Sequence, residues 1–305
     1  MNFEGLSLAA RKERCRAATA PYRITDGRKF RLKDMDPGDT GALGSEDKKA
    51  SRNTLALGVS MLSEMQAKLY ADNRWSLLCL FQAMDAAGKD GSIKHVMSGV
   101  NPQGCQVMSF KVPSSEELDH DYMWRYVKRL PERGRIGIFN RSYYEEVLVA
   151  KVRQDVLDRQ KLPASLVTKS IWKQRYEDIR NFERYLARNG YVICKFFLHL
   201  SKKEQKKRFM ERLDNPEKNW KFSPADLTAR SHWDAYQDAY EKLIRATAAK
   251  HAPWYVVPAD NKWYARLVVA AAIVDAMASL DLEFPRISDE QKQRLEEARA
   301  MLVNE

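Results

Sequence analysis

Apolar residues recur at three- and four-residue steps through "LALGVSMLSEMQAKLY", which predicts a helix from about Ser51 to Tyr70. After Arg74 the pattern changes. "SLLCLFQA", "CQVMSF", "RIGIFN", "YVICKFFLHL" and "WYVVPA" are short, nearly continuous apolar runs bounded by turns or charges, as strands buried on both faces should be. Between and after them, helical patterns span Lys89–Ser98, Ser115–Leu130, Tyr143–Lys151, Ser165–Asn189, Ser201–Leu213, Thr228–Lys250 and Trp263–Leu280. Alternating strands and helices predict an α/β fold, a parallel sheet covered by helices on both faces. Ligands of such a sheet sit at the carboxyl ends of its strands.

The organisation that follows is an N-terminal extension (1–73) packing on the core, a core over 74–285 and a C-terminal helix over 286–305. The extension opens with a basic helical stretch, "LAARKERCRAATA". Within the core, "DNPEKNWKFSPAD" is polar, proline-punctuated and basic. It reads either as a surface loop or as part of a mobile lid over about 206–230, since lids combine such length with positive charge.

The first chemistry lies in "LLCLFQAMDAAGKDGSIKHVM". A strand runs through a turn of small residues into a helix, with a lysine at the junction, and these are the parts a phosphate-binding loop needs. The usual G-x-x-x-x-G-K-[ST] pattern is broken twice, by Ala83 and by Asp90. Ala83 fits only if φ is negative there. Loss of the hydroxyl after the lysine removes a customary Mg²⁺ ligand. Asp85, inside the loop, is the candidate to replace it or to receive a proton from the attacking phosphate. Ala86, Ala87, Gly88, Lys89, Asp90, Gly91 and Ser92 are the phosphate-cradling candidates, although Asp90 reads equally well as a plain helix N-terminal cap.

"GRIGIFNRSYYEEVL" places Asn140 and Arg141 at the tip of a second strand, where a metal-binding acid would be expected, with Glu145 on the helix beyond. In "SKKEQKKRFMERLDNPEKNWKFSP", Arg208 and Arg212 stand four apart on one helix face, flanked by Lys203, Lys207, Lys218 and Lys221. Two guanidiniums offer forked donors to phosphoryl oxygens.

Composition narrows the partners. Lys and Arg number 52 against 41 Asp and Glu, a formal net charge of +11 that favours polyanions. No zinc-finger spacing, RNP aromatics or GXXG loop appears, so no nucleic acid is expected. The five histidines show no metal spacing, and the longest apolar run, "LVVAAAIV", is too short to span a membrane. Four scattered cysteines without a C-x-x-C pair fit a reducing cytoplasm.

Taken together, "QAMDAAGKDGSIKHVMSGVNPQG", "GRIGIFNRSYYEEVLVAKV", "RLDNPEKNWKFSPADL" and "APWYVVPADNKWYARL", in that order over some two-thirds of the chain, resemble the family-2 polyphosphate kinases. "YRITDGRKFRLKDMDP" resembles the leader of that family. The resemblance implies a P-loop kinase-like three-layer α/β/α fold with a helical lid. It also implies reversible, metal-dependent phosphoryl transfer between inorganic polyphosphate and nucleotides. Mg²⁺ is the expected ion, with Mn²⁺ as an alternative, held by Asp85 and Asn140. Asp85, Lys89, Arg141, Glu145, Arg208 and Arg212 are the implied catalytic set, and Asn101, Arg125, Arg129 and Glu145 the expected nucleotide contacts. Many members carry Asp-Arg where this chain has Asn140-Arg141, so the chain departs from a two-aspartate metal site. "FNRSYYEE", with Glu145 where those members often have Asn, resembles the subgroup that phosphorylates AMP as well as ADP. A homo-oligomer is expected. The rival readings are an ATP-dependent kinase of a small metabolite and a nucleic-acid-binding P-loop protein.

Overall fold

A computed structural model describes residues 5–305, so residues 1–4 of the extension lie outside the described residues. Six strands form one sheet: β1 (Arg23–Ile24), β2 (Ser76–Ala83), β3 (Cys105–Ser109), β4 (Ile136–Asn140), β5 (Tyr191–His199) and β6 (Trp254–Pro258). Their spatial order is β1-β6-β5-β2-β4-β3. All pairs are parallel except β1 with β6. β1 was invisible to periodicity because two residues cannot show an alternation.

The central strand explains the continuous apolar runs. Leu77, Cys79 and Phe81 of β2 face one core cluster, shared with the helices Lys48–Asp72 and Lys262–Ala278. Leu78 and Leu80 face the other, shared with Glu145–Val152, Ile171–Arg188 and Trp233–Thr247. A strand needed by two cores has no position left for a polar face.

The N-terminal segment is built into this packing. Helix Leu8–Thr19 is tied to helix Lys262–Ala278 by Arg16, whose Nε donates to Asp275 at 3.2 Å. The Tyr22 hydroxyl meets Asp39 Oδ2 at 2.6 Å and the Tyr264 hydroxyl at 2.9 Å. The Leu32 N–H donates to Glu241 Oε2 at 2.8 Å.

Three expected helices differ. Ser115–Leu130 is two single turns, Ser115–Leu118 and Trp124–Val127. The "DHD" run between them turns the chain, with Asp121 Oδ1 accepting from the Met123 N–H at 2.9 Å instead of allowing a continuous helix. The helix expected from Ser165 begins at Ile171. Thr228–Lys250 is two helices, Pro224–Ser231 and Trp233–Thr247, broken at His232. The earlier start has a legible cause: Ser223 and Asp226 form a reciprocal capping box, with Pro224 at the first helical position.

Candidate active site

In-register pairing sets the site at the carboxyl edge. Phe81 and Ser109 both lie opposite Asn140. The Arg141 N–H donates to the Phe81 carbonyl at 3.0 Å, so the tip of β4 is stitched to the strand that feeds the loop. A cleft of about 670 Å³ opens there, walled by the loop Asp85–Gly91, Asn140, Arg141, the β3 exit and the segment carrying Arg212, Trp220, Lys221 and Asp226.

Ala83 ends β2 in extended backbone, where alanine fits as well as glycine. The left-handed positions are Ala86 (φ 64°) and Gly88 (φ 102°). At Ala86 this conformation costs about 1–2 kcal/mol for an L-residue. The compensation comes from Arg208. Its Nη1 donates to the Ala86 and Ala87 carbonyls at 3.0 Å each, and its Nη2 donates to Ala259 (2.7 Å) and Asp260 (2.9 Å). Its Nε donates to Glu204 Oε1 at 2.9 Å. Gln205 Nε2 holds the Asp85 carbonyl at 3.0 Å. The loop is therefore shaped from helix Lys202–Asp214, and the buried Arg208 guanidinium directs its donors at the protein's own carbonyls.

Lys89 begins helix Lys89–Val96, with Nζ donating to the Ala83 carbonyl at 3.1 Å. Burial and the Arg141 charge push its pKa down, opposed by Asp85, Glu145 and Asp90. The first N–H groups of this helix have no acceptor within it and lie along the cleft, ready for an anion. Arg141 (φ 67°) lies 3.5 Å from Asp85 and 3.9 Å from Glu145. Burial raises the Glu145 carboxyl above the ordinary range, and Arg141 and Lys89 pull it back. With its amide turned nitrogen-to-Glu145, the buried Gln82 donates to Glu145 Oε1 at 2.7 Å and accepts from the Ser142 N–H at 3.0 Å.

The Asn140 amide nitrogen donates to Asp90 Oδ1 at 2.6 Å, which fixes the orientation of the carboxamide and leaves its oxygen available. Asp85, Asp90 and Asn140 thus offer oxygen donors alone. Among the described residues, no three His, Cys, Asp or Glu side chains form a metal cage. A sparse oxygen set suits Mg²⁺, which is commonly held by one or two carboxylates, water and substrate phosphates.

The other expected residues divide. Arg212 Nη1 reaches Asp226 Oδ2 at 3.3 Å and the Lys221 carbonyl at 3.2 Å. It also lines, with Lys218 and Lys221, a basic groove of about 220 Å³ that adjoins Ala86–Gly88. Lys207 lies in a further hollow of about 620 Å³ beyond Arg208. Arg125 is buried behind the cleft, its Nη2 holding the Lys111 carbonyl at 2.9 Å. Asn101 caps a short turn through the Gln103 N–H, and it and the exposed Arg129 and Lys203 lie away from these clefts. Sequence reading missed Asp226, Trp220, Lys262 and Arg266 as cleft residues. The capping box gave a local reason for Asp226. Nothing local brings Lys262 and Arg266 to the loop.

A Gly-Lys loop on the central strand of a parallel sheet, under a cationic helical cover, defines a P-loop kinase-like phosphotransferase. Residues 45–285 match the Polyphosphate kinase 2 (PPK2) family, and the chain belongs to that family. It is 50% identical over 290 residues to an ADP-polyphosphate phosphotransferase of Rhodopseudomonas palustris, covering 93% of this chain and 98% of that one. It is 46% identical over 265 residues to an AMP/ADP-polyphosphate phosphotransferase of Meiothermus ruber, covering 87% and 95%. The crystal structure of Polyphosphate Kinase 2 from Arthrobacter aurescens TC1 matches with a TM-score of 0.81 at 38% identity, over 92% of this chain and 96% of that one.

Proposed function

We propose that the protein transfers the terminal phosphoryl group of inorganic polyphosphate to AMP and ADP, reversibly and with a divalent metal, Mg²⁺ first. The observation carrying this reading is the meeting of Asp85, Lys89 and Arg141 in one cleft that adjoins a second, basic groove, with Glu145 against Arg141 at 3.9 Å. A terminal phosphate oxygen of the acceptor attacks the end phosphorus of the polymer. One P–O bond forms, the bond to the bridging oxygen breaks, and the polymer leaves one unit shorter. No side-chain nucleophile is needed, so the protein's task is alignment and charge neutralisation.

Lys89, Arg141 and the helix N-terminus offset charge on the transferring group. Asp85 and the Asn140 oxygen are the residues that would hold the metal, which when bound supplies further neutralisation of the phosphates. Arg212, Lys218, Lys221 and Arg266 line the groove suited to the polymer. Arg208 acts as a positioning residue, through the loop carbonyls it holds. Glu145, in contact with Arg141, is the residue assigned to AMP use.

The test is nucleotide analysis after mixing purified protein with Mg²⁺, long-chain polyphosphate and either AMP or ADP, without ATP. ADP formed from AMP, and ATP formed from ADP, are expected. Conversion of ADP alone removes AMP from the reading, and no product from either overturns it. Lys89→Ala should abolish transfer.

A further inference from the structure

Of the seven tryptophans, Trp220 alone is exposed, at 78%. It is nevertheless held. Its Nε1 donates to the Glu217 carbonyl at 2.9 Å, and the Lys221 ammonium lies 4.9 Å from the ring centroid. Val112, on the chain leaving β3, is 80% exposed. Both line the cleft that contains the phosphate loop. A large, oriented apolar surface is costly to leave in water and offers nothing to a phosphate chain. It does suit the face of a nucleobase, which stacks on an aromatic ring without regard to its edge pattern.

We propose that Trp220 and Val112 hold the acceptor's nucleobase, Trp220 by stacking and Val112 by apolar contact. The proposal rests on the nucleotide-phosphorylating reading above. The side chains beside this wall offer little edge recognition. Phe110 is buried, the Asn140 amide nitrogen is committed to Asp90, Arg212 and Asp226 are paired with each other, and the Lys221 ammonium lies against the Trp220 ring, which leaves Ser109 and Lys111 as the other polar neighbours. Purines, with the larger face, are therefore preferred over pyrimidines, and adenine is little distinguished from guanine.

The experiment is steady-state kinetics with ADP, GDP and CDP at saturating polyphosphate for the wild type, Trp220→Ala and Trp220→Phe, together with tryptophan fluorescence titrations. Trp220→Ala should raise KM for ADP and GDP about tenfold, the scale of one stacked base, with a much smaller change in kcat and in KM for polyphosphate. The preference for purine over CDP should collapse with it, and Trp220→Phe should restore most of both. ADP should quench the wild-type fluorescence, tripolyphosphate should not, and Trp220→Phe should lose the quench. Unchanged nucleotide KM values in Trp220→Ala overturn the proposal. So does a rise in KM for polyphosphate instead, or an equal quench by tripolyphosphate. A wild type that transfers nothing from polyphosphate yet shows the ADP-specific quench supports the base site and overturns the donor assignment. Transfer without that quench does the reverse.

Discussion

Two arginines four residues apart on one helix meet different surroundings, and their variants should separate accordingly. Arg208 is 3% exposed and donates to four backbone carbonyls and Glu204. Arg208→Ala should lower stability by about 2–4 kcal/mol and remove activity with it, because buried carbonyls lose their donors. Arg208→Lys should not rescue, since an ammonium cannot reproduce the fork. Arg212→Ala should lose most activity while its melting temperature stays within about 2 °C of wild type, because the partially exposed Arg212–Asp226 contact contributes little stability. Equal melting temperatures for the two alanine variants, measured by calorimetry, would refute this division. Glu145 gives a pH prediction. Its carboxyl is raised by burial, so it takes up a proton while ordinary carboxylates remain charged, and its contact with Arg141 weakens as pH falls. If Glu145 serves AMP, the acidic limb of the AMP rate profile should lie at higher pH than that of ADP. Coincident limbs would remove the role.

At the scale of elements, the strand that looked most apolar hides a charge. Lys195, in the middle of "YVICKFFLHL", is fully buried and donates to Glu183 Oε2 at 2.7 Å, the Tyr144 hydroxyl at 3.1 Å and the Thr247 carbonyl at 2.8 Å. Glu183 Oε1 also accepts from the Tyr143 and Tyr144 hydroxyls at 3.0 and 2.8 Å. This network seats the two tyrosines that precede Glu145. Lys195→Met should cost about 3–5 kcal/mol by leaving Glu183 buried without its cation, and the Lys195→Met, Glu183→Leu double variant should recover part of that loss. Urea denaturation of the single and double variants checks it, and a double variant no more stable than the single one counts against the pair. The five parallel strands were legible because each carries a nearly continuous apolar run, and four of them, β2, β4, β5 and β6, serve both cores. The loop, Asn140-Arg141 and Arg212 were legible because their spacing is local. What Lys195 and Arg208 touch was not, since the same residue letters would describe a solvated lysine and a phosphate-binding arginine. The partners that decide between those states come from elements 12 to 122 positions away.

For the whole molecule, the charge excess of +11 has a direction of use. Within the cleft the charges are largely matched, Arg141 by Asp85 and Glu145, and Arg212 by Asp226. The basic groove adjoining Ala86–Gly88 carries Lys218, Lys221, Lys262 and Arg266. A long polyanion should therefore feel ionic strength more than a nucleotide does. Raising salt from about 0.05 to 0.5 M should increase KM for long-chain polyphosphate about tenfold or more, and KM for ADP less than about threefold, because screening falls on the many exposed contacts of the polymer. Equal salt dependence would place both substrates in similar fields. Light scattering tests the expected homo-oligomer. No helix among the described residues is long and apolar enough to cross a membrane.

The Arg208 clamp also sets where the molecule can bend. One guanidinium joins the phosphate loop, the helix that carries it and the chain just after β6. If the expected lid closes over the cleft, it should pivot beyond Phe209, around Asn215 and Phe222, where the short turn Pro216–Lys221 joins two helices. The moving arm would then carry Lys218, Trp220 and Lys221 down onto bound substrates while the loop beneath them keeps its shape.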